Sequence, residues 1–187
     1  MKKQLFTLGV AAVIGLSGCA NDSNGNESDT KKESNQSERN HSKMNHSGSS
    51  ELPEGLQEAK NPKYKVGSEA IIQADHMKGM DGSKATIVGA YDTTVYTVSY
   101  TPTTGGEKVT NHKWVVQEEI KEAGDKMLKP GTEVTLEADH MKGMKGAKAT
   151  IDSAEKTTVY VVDYIPTTGG EKVTNHKWVT ESELSDK

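Results

Sequence analysis

The sequence predicts an all-β protein that carries two tandem copies of one small barrel after a long polar tether. Three observations predict this class. The segment Ala74–Trp114 returns 64 positions later as Ala138–Trp178, with 32 of 41 positions identical. Apolar and polar residues alternate with a period of two inside each copy, which is typical of half-buried strands. Short glycine-rich turns separate these alternating runs.

The first residues are typical of a lipoprotein signal peptide, predicted to span 1–18. Lys2 and Lys3 precede an apolar run over 5–16 that is too short to persist as a membrane-spanning helix. The sequence Leu-Ser-Gly-Cys ending at Cys19 resembles a bacterial lipobox, in which the cysteine is acylated and becomes the first mature residue. An ordinary secretory signal with an incidental cysteine is the alternative.

Cys19 is the only cysteine, so the chain forms no intramolecular disulfide, and once acylated it leaves no thiol for metal binding or catalysis. Removing Lys2 and Lys3 changes the formal charge from −4 to −4 − 2 = −6. A mildly acidic chain without a basic block is not expected to bind nucleic acid. We expect a membrane partner through the lipid anchor, with the protein on the outer face of the cell membrane.

Residues 19–50 form a lipidated tether that is rich in Ser, Asn, Asp, Glu and Lys and is predicted to be disordered. This tether contains a candidate metal-binding cluster, His41, Met44 and His46. A solvated linker in which histidine occurs by chance is the alternative. Residues 51–63 form a junction with a predicted short helical turn.

The first module is predicted at 64–120, a linker at 121–129 and the second module at 130–187. Four or five short strands in each module favour a small closed barrel, because closure hides the strand edges. A Gly-x-x-Gly turn followed by Ala-x-Ile, at 79–87 and 143–151, resembles the strand–loop–strand element of KOW-type barrels. The likeness implies two tandem SH3-like (KOW-like) barrels.

In the second module the alternation predicts four strands. The first places Val134, Leu136, Ala138 and His140 on one face. A return strand starts at 148–151, the strongest run spans Thr157–Ile165, and Lys172–Val179 follows a Pro-Thr-Thr-Gly-Gly loop. A short turn is predicted after this last strand.

Each copy places one imidazole and two thioethers within five residues. These candidate copper ligands are His76, Met77 and Met80 in the first copy and His140, Met141 and Met144 in the second. Thioether sulfur is a soft neutral donor that selects Cu(I) over Zn²⁺ or Mg²⁺, whereas imidazole serves both Cu(I) and Cu(II). The alternative is that the methionines fill barrel mouths and that the histidines are hydrogen-bonded within the core.

His112 and His176 each precede a tryptophan, Trp114 and Trp178, by two residues. On a strand such pairs share a face. The histidines are therefore candidates for a third protein ligand of the metal or for a partner that orients Asp75 or Asp139. A packed tryptophan capped by a histidine explains the same spacing.

No enzyme signature is present, so the sequence predicts a protein without catalytic activity. It contains no Gly-x-Ser-x-Gly elbow, no phosphate-binding loop and no carboxylate pair placed for glycoside chemistry.

The lipobox, the His/Met tether and the doubled Asp-His-Met-x-Gly-Met and Asn-His-Lys-Trp motifs together resemble the YdhK-type lipoproteins of Gram-positive bacteria. The resemblance covers essentially the whole mature chain. It implies a surface copper-binding lipoprotein that sequesters Cu(I) and contributes to copper resistance, with a membrane copper transporter as a further expected partner. The competing hypothesis is a cell-surface SH3-like module that binds wall polymer or peptide through the loops at 102–106 and 166–170 and the nearby tryptophans.

Overall fold

The structure is a computed structural model that describes residues 48–187. Its strands are β1 (Gln57–Glu58), β2 (Glu69–Ile72), β3 (Lys84–Tyr100), β4 (Val109–Val116), β5 (Glu133–Thr135), β6 (Lys148–Tyr164), β7 (Val173–Thr180) and β8 (Leu184–Ser185). Two 3₁₀ turns, Gln117–Glu119 and Glu181–Glu183, are the only helical elements in this part of the chain. The predicted all-β class with two tandem repeats is confirmed. Within residues 48–187 no helix has the length and apolar character needed to cross a membrane.

The two repeats meet along their longest strands. β3 and β6 each contain 17 residues and pair antiparallel from Ala85 opposite Tyr164 to Tyr100 opposite Ala149. At the middle of this ladder Thr93 lies opposite Thr157, which is its own equivalent in the second repeat. A strand paired antiparallel with its duplicate and centred on equivalent residues relates the two repeats by a local two-fold axis.

The shorter strands extend the sheet on both sides of this central pair. β2 pairs with the first half of β3, and β4 pairs with its second half. β5 and β7 pair with the corresponding halves of β6. β8, at the end of the second repeat, pairs with β2 of the first.

Each hydrophobic core takes the first half of one repeat and the second half of the other. The first core includes Ile72, Met80 and Ile87 from the first repeat with Tyr160, Val162 and Tyr164 from the second. The second core includes Tyr96, Val98 and Val115 from the first repeat with Leu136, Met144 and Ile151 from the second. The segments 64–120 and 130–187 are therefore repeats in sequence, but they do not have separate hydrophobic cores. The strands form one open pairing network, so closure into separate barrels stays a prediction.

A third apolar cluster lies between the two cores. It contains Trp114 and Trp178 together with Tyr91, Val95, Val116, Val159 and Val161. Trp114 is 8% exposed and Trp178 is 0% exposed. Both indoles are thus interior groups and do not line an open surface groove.

Two local predictions differ from the structure. The separate runs at 148–151 and 157–165 belong to one strand, because the polar residues between them keep their pairing to β3, with Ser153 opposite Thr97 and Lys156 opposite Thr94. The helical turn predicted in the junction 51–63 is wrong. Gln57 and Glu58 instead form β1, which pairs with Asp92 and Tyr91.

Candidate functional site

One cleft collects the repeat histidines. Its volume is about 1380 Å³, and its lining includes all four imidazoles and two of the four repeat thioethers: His76, His112, His140, His176, Met77 and Met141. The sequence predicts two equivalent sites, one in each copy. The fold instead brings the imidazoles of both copies to one concave surface.

One histidine of each repeat pairs with a buried carboxylate of the other repeat. His76 Nε2 lies 2.8 Å from Glu183 Oε1, and His140 Nε2 lies 2.7 Å from Glu119 Oε1. The carboxylate side chains are 11% and 8% exposed, respectively. Each pair joins residues from different repeats, so the interlocked fold positions these imidazoles.

The same two carboxylates accept hydrogen bonds from the tryptophans. Trp114 Nε1 donates to Glu183 Oε2 at 2.8 Å, and Trp178 Nε1 donates to Glu119 Oε2 at 3.0 Å. The backbone amide of Thr180 also donates to Glu183, at 3.1 Å. The tryptophans of the Asn-His-Lys-Trp motifs are therefore anchors that orient the carboxylates.

These contacts keep both carboxylates ionised. Burial raises the pKa of the Glu183 carboxyl, but the hydrogen bond and charge of His76, with the donors from Thr180 and Trp114, outweigh burial and lower that pKa to about 2. The pKa of Glu119 is likewise lowered against the effect of burial, chiefly by His140. Each histidine thus faces a fixed negative charge.

The backbone before His112 and His176 adopts a left-handed conformation. Asn111 has φ 50° and Asn175 has φ 51°. Asparagine tolerates this region better than most residues. The backbone amide of Asn175 donates to Asp163 Oδ1 at 2.8 Å, and the backbone amide of Asn111 donates to Ser99 Oγ at 3.2 Å. This turn of the chain brings the following histidine into the cleft lining.

His112 lies close to imidazoles of both repeats. Its ring centroid is 6.2 Å from that of His140, with the two planes tilted by 36°. Burial, together with the nearby charges of His140 and His76, lowers the pKa of His112 to about 4, so this ring is neutral at neutral pH. Within residues 48–187, His112 Nε2 and His76 Nδ1 are buried and have no hydrogen-bond partner.

The four methionines of the repeats divide into two groups. Met80 and Met144 are 0% exposed and pack in the first and second cores, the core-filling role that the sequence left open as the alternative. Met77 is half-buried against the first core, and Met141 is 45% exposed. Only these last two can present a thioether to the cleft.

The tether candidates His41, Met44 and His46 and the acylation candidate Cys19 lie outside the described residues. Among residues 48–187, no three His, Cys, Asp or Glu side chains converge closely enough to form a preorganised metal site.

Glu119 and Glu183 were missed by the sequence reasoning. One signal could have found them, since the two carboxylates are separated by 183 − 119 = 64 residues, the period of the repeat. They follow the Asn-His-Lys-Trp motifs by a few positions, beyond the repeated segments that end at Trp114 and Trp178.

Comparison with known proteins agrees with the repeat. The family described as "Protein of unknown function (DUF1541)" matches residues 66–117 and again 130–181. The chain is 63% identical over 190 residues to the protein YdhK of Bacillus subtilis (strain 168), an alignment that covers 100% of this chain and 92% of YdhK.

Solved structures of ydhK from Bacillus subtilis show a similar fold. A crystal structure at 72% identity superposes with a TM-score of 0.75 and covers 79% of this chain and 100% of that one. A solution NMR structure of the ydhK C-terminal domain, also at 72% identity, has a TM-score of 0.63 and covers 66% of this chain and 93% of that one. The chain is a tandem-repeat member of the DUF1541 family, in the group typified by YdhK.

Proposed function

We propose that this protein binds copper in the cleft shared by its two repeats, with Cu(I) preferred, and so sequesters the ion outside the cell membrane. One observation carries the proposal. Two buried imidazole nitrogens, His76 Nδ1 and His112 Nε2, have no hydrogen-bond partner in the described chain and lie in a cleft that also contains Met77 and Met141. A buried polar atom without a partner is costly unless a ligand satisfies it.

The carboxylates support the same function. A histidine that ligates a metal commonly gives its other ring nitrogen to a carboxylate, which fixes the ring orientation and raises its basicity. Glu183 holds His76 in this way and Glu119 holds His140, each through Nε2. The Nδ1 atom of each ring is then the position left for a metal. Imidazole with thioether is a donor set that suits copper.

The predicted lipobox supports the cellular role. Acylation of Cys19 would hold the protein on the outer face of the membrane, where it lowers the free copper concentration and contributes to copper resistance. We propose that the protein sequesters copper without catalysing a reaction. Transfer of the ion to a membrane copper transporter is an additional proposed role.

A competition titration with a chromophoric Cu(I) chelator tests the proposal. Replacing Met77 and Met141 together by leucine is expected to weaken Cu(I) binding about tenfold, because both cleft thioethers are lost. The matched control replaces Met80 and Met144 by leucine. These side chains lie in the cores, so the control is expected to retain the affinity of the unmodified protein. Absence of Cu(I) binding by the unmodified protein would refute the proposal.

The size of the cleft supports a second candidate, a cell-surface module that binds wall polymer or peptide. About 1380 Å³ far exceeds the space that one ion needs and matches that of organic ligands. Because both tryptophans are buried, this ligand would occupy the cleft itself and not a groove between the loops at 102–106 and 166–170. A pull-down with purified cell wall, with and without copper, separates the two candidates. Retention of the protein on the cell wall in the absence of copper would favour the cell-surface binding module.

A further inference from the structure

We infer that a Cu(I) ion is held across the repeat boundary, with His112 of the first repeat and His140 of the second as two ligands of the same ion. This inference rests on the proposed copper-binding function and locates its site. The ion would belong to neither repeat alone, whereas the duplicated sequence predicts that each site lies within one copy.

The ring spacing fits a shared ion. Two imidazole nitrogens about 2.0 Å from one ion place their ring centres roughly 6 Å apart when the ligands lie on opposite sides. The centroids of His112 and His140 are 6.2 Å apart. Their planes are tilted by 36° and not stacked, so the rings do not exclude an ion from the space between them.

The free ring atoms also fit. His112 Nε2 is buried without a hydrogen-bond partner among residues 48–187. His140 Nε2 is hydrogen-bonded to Glu119 Oε1 at 2.7 Å. Nδ1 is then the ring nitrogen that remains to bind a metal. Cu(I) accepts low coordination numbers and soft donors, so two imidazoles and the thioether of Met141, which lines the same cleft, form a sufficient set. This choice agrees with the lack of a three-residue His, Cys, Asp or Glu cluster in the described chain.

The fold explains why the ligands come from different repeats. His112 lies on β4 opposite Val98 of β3. His140 follows β5 of the second repeat, and Ile120 bridges to Leu136 in the same region. These elements all contribute to or flank the second core, which mixes the two repeats. Residues 28 positions apart in sequence thus reach one side of the cleft only after the repeats interlock.

The number of bound ions tests the inference. The variants are His112→Gln, His140→Gln and the double variant, because glutamine at position 140 keeps an N–H that can donate to Glu119. Bound copper is counted by titrating Cu(I) to saturation in competition with a chelator. We expect each single variant to lose one ion and the double variant to lose the same one ion. Lys142→Gln, at the cleft lining but without a thioether or imidazole, is the control and is expected to lose none.

Each other result decides against the inference in a distinct way. Loss of two ions by the double variant would mean that the histidines bind separate ions, and loss of none by either single variant would remove them as ligands. An unmodified protein that binds no Cu(I) would end the proposed function as well. Copper K-edge X-ray absorption of the unmodified protein needs no variant. It should show outer-shell scattering from at least two imidazoles, and a sulfur-only spectrum would overturn the inference.

Discussion

The indole Nε1 of Trp114 donates a hydrogen bond to Glu183 Oε2 at 2.8 Å, although the two residues are 69 positions apart and belong to different repeats. The equivalent bond runs the other way, from Trp178 to Glu119 at 3.0 Å. Each repeat thus supplies the carboxylate that fixes the tryptophan of the other. Reciprocal bonds of this kind make the two repeats one structural unit.

Acid should weaken the fold through Glu183. A carboxylate whose pKa is lowered on folding contributes its full stability above its unfolded value near 4.5 and loses it as the pH falls towards its folded value of about 2. Between pH 7 and pH 3 we expect this group to remove about 1–2 kcal/mol, because at pH 3 the unfolded carboxyl is protonated while the folded one is still largely ionised. Urea unfolding across this range, compared between the unmodified protein and Glu183→Gln, measures the difference. Equal pH slopes for the two proteins would contradict the prediction.

The two repeats should unfold together. Ile72 in the first core and Ile151 in the second are each fully buried, and replacing either by alanine is expected to cost about 2–5 kcal/mol. Because the long strands β3 and β6 run through both cores, each variant should shift one common transition. Tryptophan fluorescence and far-ultraviolet circular dichroism, recorded on the same denaturant series, check this. Two separable transitions, with only one moved by Ile72→Ala, would show independent cores.

The glycine in each Asp-His-Met-Lys-Gly-Met motif should be needed for docking of its loop. Gly79 has φ +78°, and a Cβ there would lie 2.5 Å from Thr168 Oγ1 of the other repeat. Its carbonyl also accepts a bond from the amide of Thr167 at 2.8 Å. Gly79→Ala is expected to cost about 1–3 kcal/mol, because strain and a clash act together.

The matched control for this loop is Gly124→Ala. No atom lies within 4 Å of the Cβ that this change adds, and the glycine does not have a positive φ. We expect its effect to stay within about 0.5 kcal/mol in the same thermal or urea unfolding measurement. A Gly79 variant as stable as the Gly124 variant would show that the loop contact contributes little.

The tether should bind copper separately and more weakly than the cleft. His41→Ala, Met44→Leu and His46→Ala combined are expected to remove a weak binding step and to leave the tightest step unchanged, because the sequence predicts a disordered tether and such a cluster loses conformational entropy on binding. Isothermal titration with Cu(I) under anaerobic conditions resolves the steps. A tenfold loss in the tightest step would instead place the tether ligands in the principal site.

Several features were accessible from the sequence because they depend on local spacing. The period-two alternation identified the inward residues Val134, Leu136 and Ala138, all of which are buried. The short turn predicted after the last long strand corresponds to the 3₁₀ turn Glu181–Glu183. Such patterns need only the geometry of one strand or turn, and that geometry is set by neighbouring residues.

The methionines show where this reasoning fails. Met77 and Met80 are the same type of residue and lie close together in the sequence. Yet Met80 is sealed in the first core while Met77 borders the cleft. Which side chain faces inward after a tight turn depends on what packs against the turn, and here this is the Pro166–Gly170 loop of the other repeat.

The sequence by itself determined the β class, the duplication, and the set of imidazoles and thioethers available for a soft metal. Only the tertiary structure decided that halves of the two repeats exchange to form each core, that Glu119 and Glu183 orient the histidines, and that the imidazoles share one cleft. The physical reason is that these relationships join residues far apart in the chain. Their partners are selected by burial of apolar surface and by satisfaction of buried polar groups, neither of which a local pattern encodes.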